Sequence, residues 1–258
     1  MPFPTVLYES DKRIATVTLN RPEQRNALDM RMCDDLLAVM ETVRATAANL
    51  RVVLFRGAGP VFCAGADLRE REGKGPDWVR ERRRRAFAAY DAIAGCTLPC
   101  IAVVHGPAIG SGCEIAAACD FIIAADAASF RYPEVGWGTV GATQRLPRIV
   151  GKQIAKELLF TGRKVTAAEA VRIGLVNRAV PASDLDSTVV ELVGAIVEAP
   201  PLGMRLAKRC IDLGMETDLQ RGIAIEMSAI EEALADKEWS QGVKDFARRP
   251  RDKHKDKA

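Results

Sequence analysis

The sequence has few residues of the kinds that bind metals or form disulfide frameworks. It contains two histidines, His105 and His254, and seven cysteines with no Cys-x-x-Cys pair. This composition argues against the usual zinc and iron–sulfur sites, so we expect no metal. The cysteine count is odd, and Cys63, Cys113 and Cys119 lie in apolar surroundings. We therefore expect reduced thiols and a cytoplasmic location.

Long hydrophobic runs are also missing. Pro107, Glu114 and Asp120 interrupt the most apolar stretch, whereas a membrane-spanning helix needs about 20 consecutive apolar residues. The N-terminal residues show no basic segment followed by an apolar one, so we expect no secretory signal. The sequence thus predicts no membrane span.

Aromatic residues make up only 5% of the chain, and the net charge is a mild +3. A basic cluster, "RERRRR" at 80–85, raises the possibility of phosphate or nucleic-acid binding. The cluster itself contains no aromatic residue on which bases could stack. We expect no nucleic-acid partner, and a solvated charged face is the simpler interpretation of the cluster.

The hydrophobic content of 48% is that of a globular protein large enough for a sizeable core. Short apolar segments recur, each followed by a small-residue turn and a helical pattern. This order predicts an α/β fold with strands buried on both faces. The predicted strands are 14–19, 51–57, 100–106 and 121–125, and the clearest helical patterns are 29–48 and about 77–95.

The second half of the chain is mainly helical. We predict a core domain at 1–183, a helical region at 184–247 and a basic, disordered tail at 248–258. One helical face in the second region suits burial against a neighbouring subunit or within the chain. Its apolar residues are Leu219, Ile223, Met227, Ile230 and Leu234.

Three segments could carry chemistry, and the first is "FCAGADL" at 62–68. Small residues let a ligand approach the backbone closely, and N–H groups in such a turn can donate to an oxyanion. A tight turn without a ligand is the alternative.

The second segment is "AIGSGCEIAAACD" at 108–120. A helix beginning near Gly112 would direct its positive end at a ligand beside Ser111. Ser111 and Glu114 also fit a capping box, in which Glu114 would accept from the Ser111 N–H. The residues alone leave catalysis and capping open for Glu114.

The third segment is "FRYPEVGWG" at 130–138, in which Glu134 is either a solvated turn residue or a buried acid. Glu114 and Glu134 lie 20 residues apart beside apolar residues. If they converge on one pocket, their different environments could divide acid and base roles between them.

Taken together, these segments resemble the crotonase superfamily of enoyl-CoA hydratases and isomerases. Further similarity lies in "LNRPEQRNALDM" (19–30), "TQRLPRIVGK" (143–152) and "TGRKVTAAEAVRIGLVNRAVP" (161–181). The resemblance covers roughly residues 5–250. It implies a crotonase spiral of repeated β-β-α units with a helical C-terminal region for assembly, as a homotrimer or homohexamer.

The resemblance also implies residue roles in hydration of a 2-enoyl-CoA. The N–H groups of Ala66 and Ser111 would hold the thioester enolate, and Glu114 and Glu134 would act on the added water and the α-carbon. The resemblance does not say which glutamate is the acid. No cofactor is implied, because CoA is part of the substrate. The implied CoA-binding residues are Ala64, Gly65, Ala66, Asp67, Leu68, Arg25, Gly110 and Phe246, with Arg21 and the 80–85 cluster as further phosphate partners.

Two departures from the family pattern affect specificity. Ser111 stands where the family usually has Gly, which keeps the N–H and adds a hydroxymethyl group. The segment between Thr139 and Thr143 is about three residues shorter than in family hydratases, and that loop lines the acyl pocket. We therefore expect Trp137 and Val140 to shape this pocket. An isomerase, or another lyase or hydrolase acting on acyl-CoA thioesters, is the alternative to a hydratase, since fold alone does not choose between them.

Overall fold

The computed structural model describes the backbone of residues 3–248 and the side chains of residues 3–244. Its packing divides the chain into two units, Met1–Val197 and Glu198–Ala258. The strands are β1 (Val6–Asp11), β2 (Ile14–Leu19), β3 (Val52–Gly57), β4 (Cys100–Val104), β5 (Pro107–Ile109), β6 (Phe121–Ala125), β7 (Ser129–Arg131), β8 (Lys164–Thr166) and β9 (Arg178–Val180).

The helices alternate with these strands in the first unit and follow one another in the second. Those of the first unit are α1 (Met30–Thr46), α2 (Leu68–Arg71), α3 (Pro76–Ala94), α4 (Ser111–Ala118), α5 (Arg145–Val150), α6 (Lys152–Thr161), α7 (Ala167–Arg172) and α8 (Leu185–Glu198). Those of the second are α9 (Pro201–Gly214), α10 (Leu219–Ala235) and α11 (Glu238–Arg248). Among residues 3–248, no helix combines the length and the apolar character that crossing a membrane requires.

Six strands form the main sheet in the order β1-β2-β3-β4-β6-β9. β1 and β2 are antiparallel, and the other neighbours are parallel. Parallel neighbours need crossover connections, which α1, α3 and α4 supply between successive strands from β2 to β6. The α/β fold predicted from the sequence is confirmed.

Side chains of β3 alternate between two buried faces of the sheet, as a period of two requires. Val53 and Phe55 face a core that includes residues of α1 and α3, whereas Val52 and Leu54 face α8. Burying each such side chain stabilises the fold by about 1.5–3 kcal/mol. Burial on both faces explains why this strand is a continuous apolar run.

The boundary between the units lies later than the 183/184 boundary predicted from the sequence. Helix α8 buries Leu185, Val189 and Val193 against the main sheet, so it packs within the first unit. These residues are spaced four apart, which gives one helical face. The predicted tail at 248–258 lies outside the described residues, apart from Arg248.

Three short strands form a second sheet in the order β5-β7-β8. β5 and β7 are parallel, with Ile109 opposite Arg131. The chain continues from β5 into α4, and from β7 towards Glu134. This pairing therefore places the start of α4 beside the segment that carries Glu134.

Candidate active site

The turn at 63–66 is aligned with β5 by two backbone hydrogen bonds. The Cys63 N–H donates to the Pro107 carbonyl oxygen at 3.2 Å, and the Ile109 N–H donates to the Cys63 carbonyl oxygen at 2.9 Å. Gly65 has φ +96°, and a Cβ atom there would lie 2.9 Å from the Ile109 carbonyl oxygen. The turn thus approaches the start of α4 so closely that position 65 requires glycine.

Two N–H groups at this junction are free to bind a ligand. Within the described residues, neither the Ala66 N–H nor the Ser111 N–H donates to a protein acceptor. The neighbouring N–H groups do have partners. The Asp67 N–H donates to the Leu28 carbonyl oxygen, and the Gly110 N–H donates to the Arg131 carbonyl oxygen. Ser111 is the first residue of α4, so its N–H has no partner inside the helix. Free donors at a helix N-terminus favour an anionic oxygen.

Glu114 lies in the first turn of α4 and is buried. Its Oε2 accepts from Nη1 of Arg145 at 3.2 Å, and Nη2 of Arg145 donates to Asp91 at 2.7 Å. The N-cap residue is Gly110, and no side chain caps the helix. The capping box that the sequence allowed is therefore absent, because the carboxylate pairs with an arginine 31 residues further along the chain.

Glu134 follows β7 and is held between two glycines. A Cβ atom on Gly110 would lie 2.7 Å from its Oε1, and one on Gly141 would lie 2.8 Å from its Cγ. Its Oε2 is buried and, among the described residues, has no hydrogen-bond partner. A buried carboxyl oxygen without a protein partner is a natural binding place for water or substrate.

One cavity of about 300 Å³ contains both glutamates and the free N–H groups. Most of the residues predicted for the site line it, namely Ala64, Gly65, Ala66, Asp67, Leu68, Gly110, Ser111, Glu114, Glu134 and Trp137. They come from three chain segments that the two short backbone pairings bring together. The wall between these residues is largely apolar, and it includes Trp78, Val79 and Phe87.

The two glutamates have different electrostatic surroundings. Burial raises the pKa of Glu114, and the neighbouring Arg145 counteracts this by favouring the charged form. Burial also raises the pKa of Glu134, and the charge of Glu114 raises it further, while Arg83 lowers it. Among the described side chains, Glu114 has an ion pair that favours its charged form and Glu134 has none, so the two carboxyl groups differ in what opposes the effect of burial.

Some predicted residues lie elsewhere or have another contact. Arg25 is exposed outside the cavity, with its carbonyl oxygen accepting from Ala64, and the Val140 side chain is 65% exposed and does not line the cavity. The Asp67 carboxylate pairs with Arg21 at 3.0 Å and caps α2. The side chain of Phe246 lies outside the described residues.

The structure also identifies site residues that the sequence reasoning missed. Arg145 belongs to the "TQRLPR" segment, but nothing in its local pattern indicates a partner on α4. Tyr90 is buried on the cavity-facing side of α3. Arg83, which the resemblance implied only as a phosphate partner within the 80–85 cluster, donates to the Thr139 hydroxyl at 2.8 Å. The helical spacing of Arg83, Ala86 and Tyr90 could have indicated this face of α3.

The described residues bear on two other kinds of site, a metal site and a cysteine nucleophile beside the cavity. Among the described residues, no group of three or more His, Cys, Asp or Glu side chains could hold a metal ion. Cys63 lies beside the cavity, but burial raises its pKa to about 11, so at neutral pH it is a thiol rather than a thiolate nucleophile.

The fold and this site define an enzyme of the crotonase type. The enoyl-CoA hydratase/isomerase family matches residues 9–257, and the chain belongs to that family. A crotonyl-CoA hydratase from Syntrophomonas wolfei is 36% identical, with 95% of this chain and 96% of the relative covered.

Solved structures agree with this placement. An enoyl-CoA hydratase from Bacillus anthracis superposes with a TM-score of 0.91 at 35% identity, covering 94% of this chain and 96% of that one. A Thermobifida fusca relative solved with acetoacetyl-CoA has a TM-score of 0.82 at 29% identity, covering 90% of this chain and 96% of that one. The crotonase fold expected from the resemblance is thus confirmed.

Proposed function

We propose that the protein is an enoyl-CoA hydratase, a hydro-lyase that adds water across the 2,3 double bond of a 2-enoyl-CoA thioester. One observation carries this proposal: an ion-paired Glu114 and a Glu134 with an unpartnered buried oxygen share a cavity with two free backbone N–H groups. The relatives named as crotonyl-CoA and short-chain-enoyl-CoA hydratases support it.

The thioester carbonyl oxygen accepts hydrogen bonds from the N–H groups of Ala66 and Ser111. Negative charge develops on this oxygen as the enolate forms, and the N-terminus of α4 favours that charge. Each preorganised donor of this kind contributes typically about 10²–10³-fold to turnover.

The two carboxyl groups divide the proton transfers. The charged Glu114 takes a proton from the water as its oxygen bonds to the β-carbon, and the protonated Glu134 delivers a proton to the α-carbon. The C=C π bond is replaced by new C–O and C–H bonds, and one proton has moved from Glu134 to substrate while another has moved from water to Glu114. Proton exchange through solvent then restores the starting state. This scheme uses no cofactor, since CoA belongs to the substrate.

The same enolate chemistry would serve an isomerase. An isomerase moves the double bond with a base and an acid and needs no water. A hydratase also needs a position for a water molecule between its two carboxyl groups. The presence of both Glu114 and Glu134 favours hydration, whereas the short segment after Thr139 leaves open which acyl groups fit.

Assembly and location also belong to the proposal. In α10, Leu219, Ile223, Met227, Ile230 and Leu234 are 42–79% exposed in the single chain. Such an apolar row is suited to burial between copies, and we propose a homotrimer or homohexamer. The reduced, mostly buried cysteines suit a cytoplasmic enzyme.

The test is to follow the ultraviolet absorbance of crotonyl-CoA as purified protein is added. Loss of the conjugated enoyl band, with a 3-hydroxybutyryl-CoA product of the mass expected for added water, is the expected result. Positional isomerisation of a 3-enoyl-CoA without hydration would contradict the proposal and favour the isomerase.

A further inference from the structure

The acyl side of the cavity carries an arginine that the proposed reaction does not use. Arg83 lies on α3 and lines the same cavity as Glu114 and Glu134. Its guanidinium donates to the Thr139 hydroxyl at 2.8 Å and to the Val140 carbonyl oxygen. Both acceptors are neutral and belong to the shortened segment.

Arg83 differs from the arginines on the outer side of its helix. It shares its position towards the cavity with Arg82, which is buried and donates to the Leu28 carbonyl oxygen at 2.6 Å. Among the described side chains, Arg83 is partly buried and forms no ion pair, although burial favours the loss of an isolated charge. Its neighbours on the outer side of α3 have carboxylate partners. These ion pairs are Arg80–Asp77, Arg84–Glu81, Arg85–Glu81 and Arg85–Asp34.

The cavity as a whole has more positive than negative charge available to a ligand. Its arginines are Arg71, Arg82, Arg83 and Arg131, and its carboxylates are Asp67, Glu114 and Glu134. Of these carboxylates, Asp67 and Glu114 are already paired with arginines outside the lining. An anionic ligand would therefore balance the charge of the cavity.

The phosphates of CoA do not explain the position of Arg83. Its hydrogen-bond partner Thr139 donates its own N–H to the Glu134 carbonyl oxygen at 3.0 Å, and Gly141 of the same segment lies against the Glu134 side chain. Arg83 therefore lies at the end of the cavity that holds this carboxyl group. In an acyl-CoA, the pantetheine arm separates the phosphates from the thioester, so an anion at the reacting end must come from the acyl group.

We propose that Arg83 binds a carboxylate at the far end of the acyl group, so that the preferred substrates are 2-enoyl-CoA thioesters of dicarboxylic acids. This inference rests on the proposed hydratase function and names its substrate class. A guanidinium has five N–H donors, so the two bonds to the 139–140 segment fix its orientation and leave donors for a carboxylate.

Two substrates of matched length test the inference. Both trans-2-pentenedioyl-CoA and trans-2-pentenoyl-CoA have five-carbon acyl groups, with a carboxylate in the first where the second has a methyl group. We expect a higher kcat/KM for the first. Arg83→Met should lower the ratio of the two values by about 10- to 100-fold, the range for a lost charge-assisted hydrogen bond. Arg83→Lys should retain more of the ratio.

Two control variants separate charge recognition from loop structure. Arg84→Met removes an exposed arginine of the same helix that pairs with Glu81, and it should leave the ratio unchanged. Thr139→Val removes the hydroxyl that Arg83 holds and keeps the cation, and it should also keep the preference for the diacid. Parallel loss for both substrates in Arg83→Met and Thr139→Val would mean that Arg83 only holds the loop, and would overturn the inference.

A binding measurement keeps this inference separate from the hydratase assignment. Calorimetric affinities for glutaryl-CoA, pentanoyl-CoA and free CoA need no turnover. Tighter binding of glutaryl-CoA than of pentanoyl-CoA, lost in Arg83→Met, is expected whether or not hydration occurs. Equal binding of the two thioesters by the wild type, or an equal loss for free CoA in the variant, would assign Arg83 to another role. Absence of hydration with all thioesters would instead contradict the proposed function.

Discussion

Glu114 is buried, and burying an unpaired carboxylate would cost much free energy. The ion pair with Arg145 offsets this cost. We predict that Glu114→Gln keeps the fold, because the amide is nearly isosteric, and lowers kcat for crotonyl-CoA hydration by about 10²–10⁴-fold, as for a lost general base. The measurement is steady-state turnover, with circular dichroism as the check on folding. Full activity in this variant would return Glu114 to a structural role.

Arg145 acts through Glu114 rather than on the substrate. Removal of Arg145 should therefore change the dependence of kcat/KM on pH. Arg145 favours the charged form of Glu114, and Arg83 does the same, while Asp91 opposes it. Without Arg145, the pKa of Glu114 rises further.

The acidic limb of kcat/KM against pH should therefore move upward in Arg145→Gln, because the direct ion pair that favours the charged carboxylate is lost. Arg145→Lys should restore part of the shift. Arg148→Gln is the matched control, because Arg148 lies on the same helix, donates to the Gln144 carbonyl oxygen and does not line the cavity. A fall in activity at all pH values with an unmoved limb would contradict this role.

The sequence indicated the two glutamates but not their partners. Glu114 and Glu134 stand out because each is an acid among apolar residues. The Ser111-x-x-Glu114 pattern also fitted a capping box, since a local pattern carries no information about a residue 31 positions away. Arg145 was therefore out of reach of local reasoning, although its ion pair with Glu114 excludes the capping box.

At the scale of elements, the start of α4 packs directly on the turn at 63–66. A Cβ atom on Gly112 would lie 2.5 Å from the Cys63 carbonyl oxygen. Because that oxygen is backbone, either the helix or the turn must move. We predict that Gly112→Ala lowers the free energy of unfolding by about 1–3 kcal/mol, as for an overpacked site, and reduces turnover by displacing the Ser111 N–H.

Gly194 of α8 is the matched control for that substitution. It is exposed, and nothing lies within 4 Å of a Cβ atom placed there. Gly194→Ala should raise the free energy of unfolding by about 1 kcal/mol through helix propensity alone. Chemical denaturation of both variants gives the comparison, and equal effects in the two would show that the close packing of α4 has been overestimated.

At the scale of the whole molecule, the sequence pattern predicted four of the six strands of the main sheet, β2, β3, β4 and β6, but neither β1 nor β9. β2 and β6 have the predicted bounds, because β2 alternates apolar residues with Thr and β6 is a short continuous apolar run. The small sheet was not predicted, since strands of three residues carry too little pattern. That sheet nevertheless places α4 beside Glu134. Helix α8 was assigned to the C-terminal region because its periodicity shows an apolar face but not which surface buries it.

The apolar row of α10 gives the last prediction. Charges placed in a buried apolar interface without partners cost several kcal/mol, so Ile223→Glu combined with Met227→Glu should dissociate an assembly that buries this row. Sedimentation velocity should show trimers or hexamers for the wild type and monomers for the double variant. Ser228→Glu adds a charge at another exposed position of α10, outside the row, and should leave the assembly intact. A monomeric wild type would show that the row has another use, and an unchanged double variant would place the interface elsewhere.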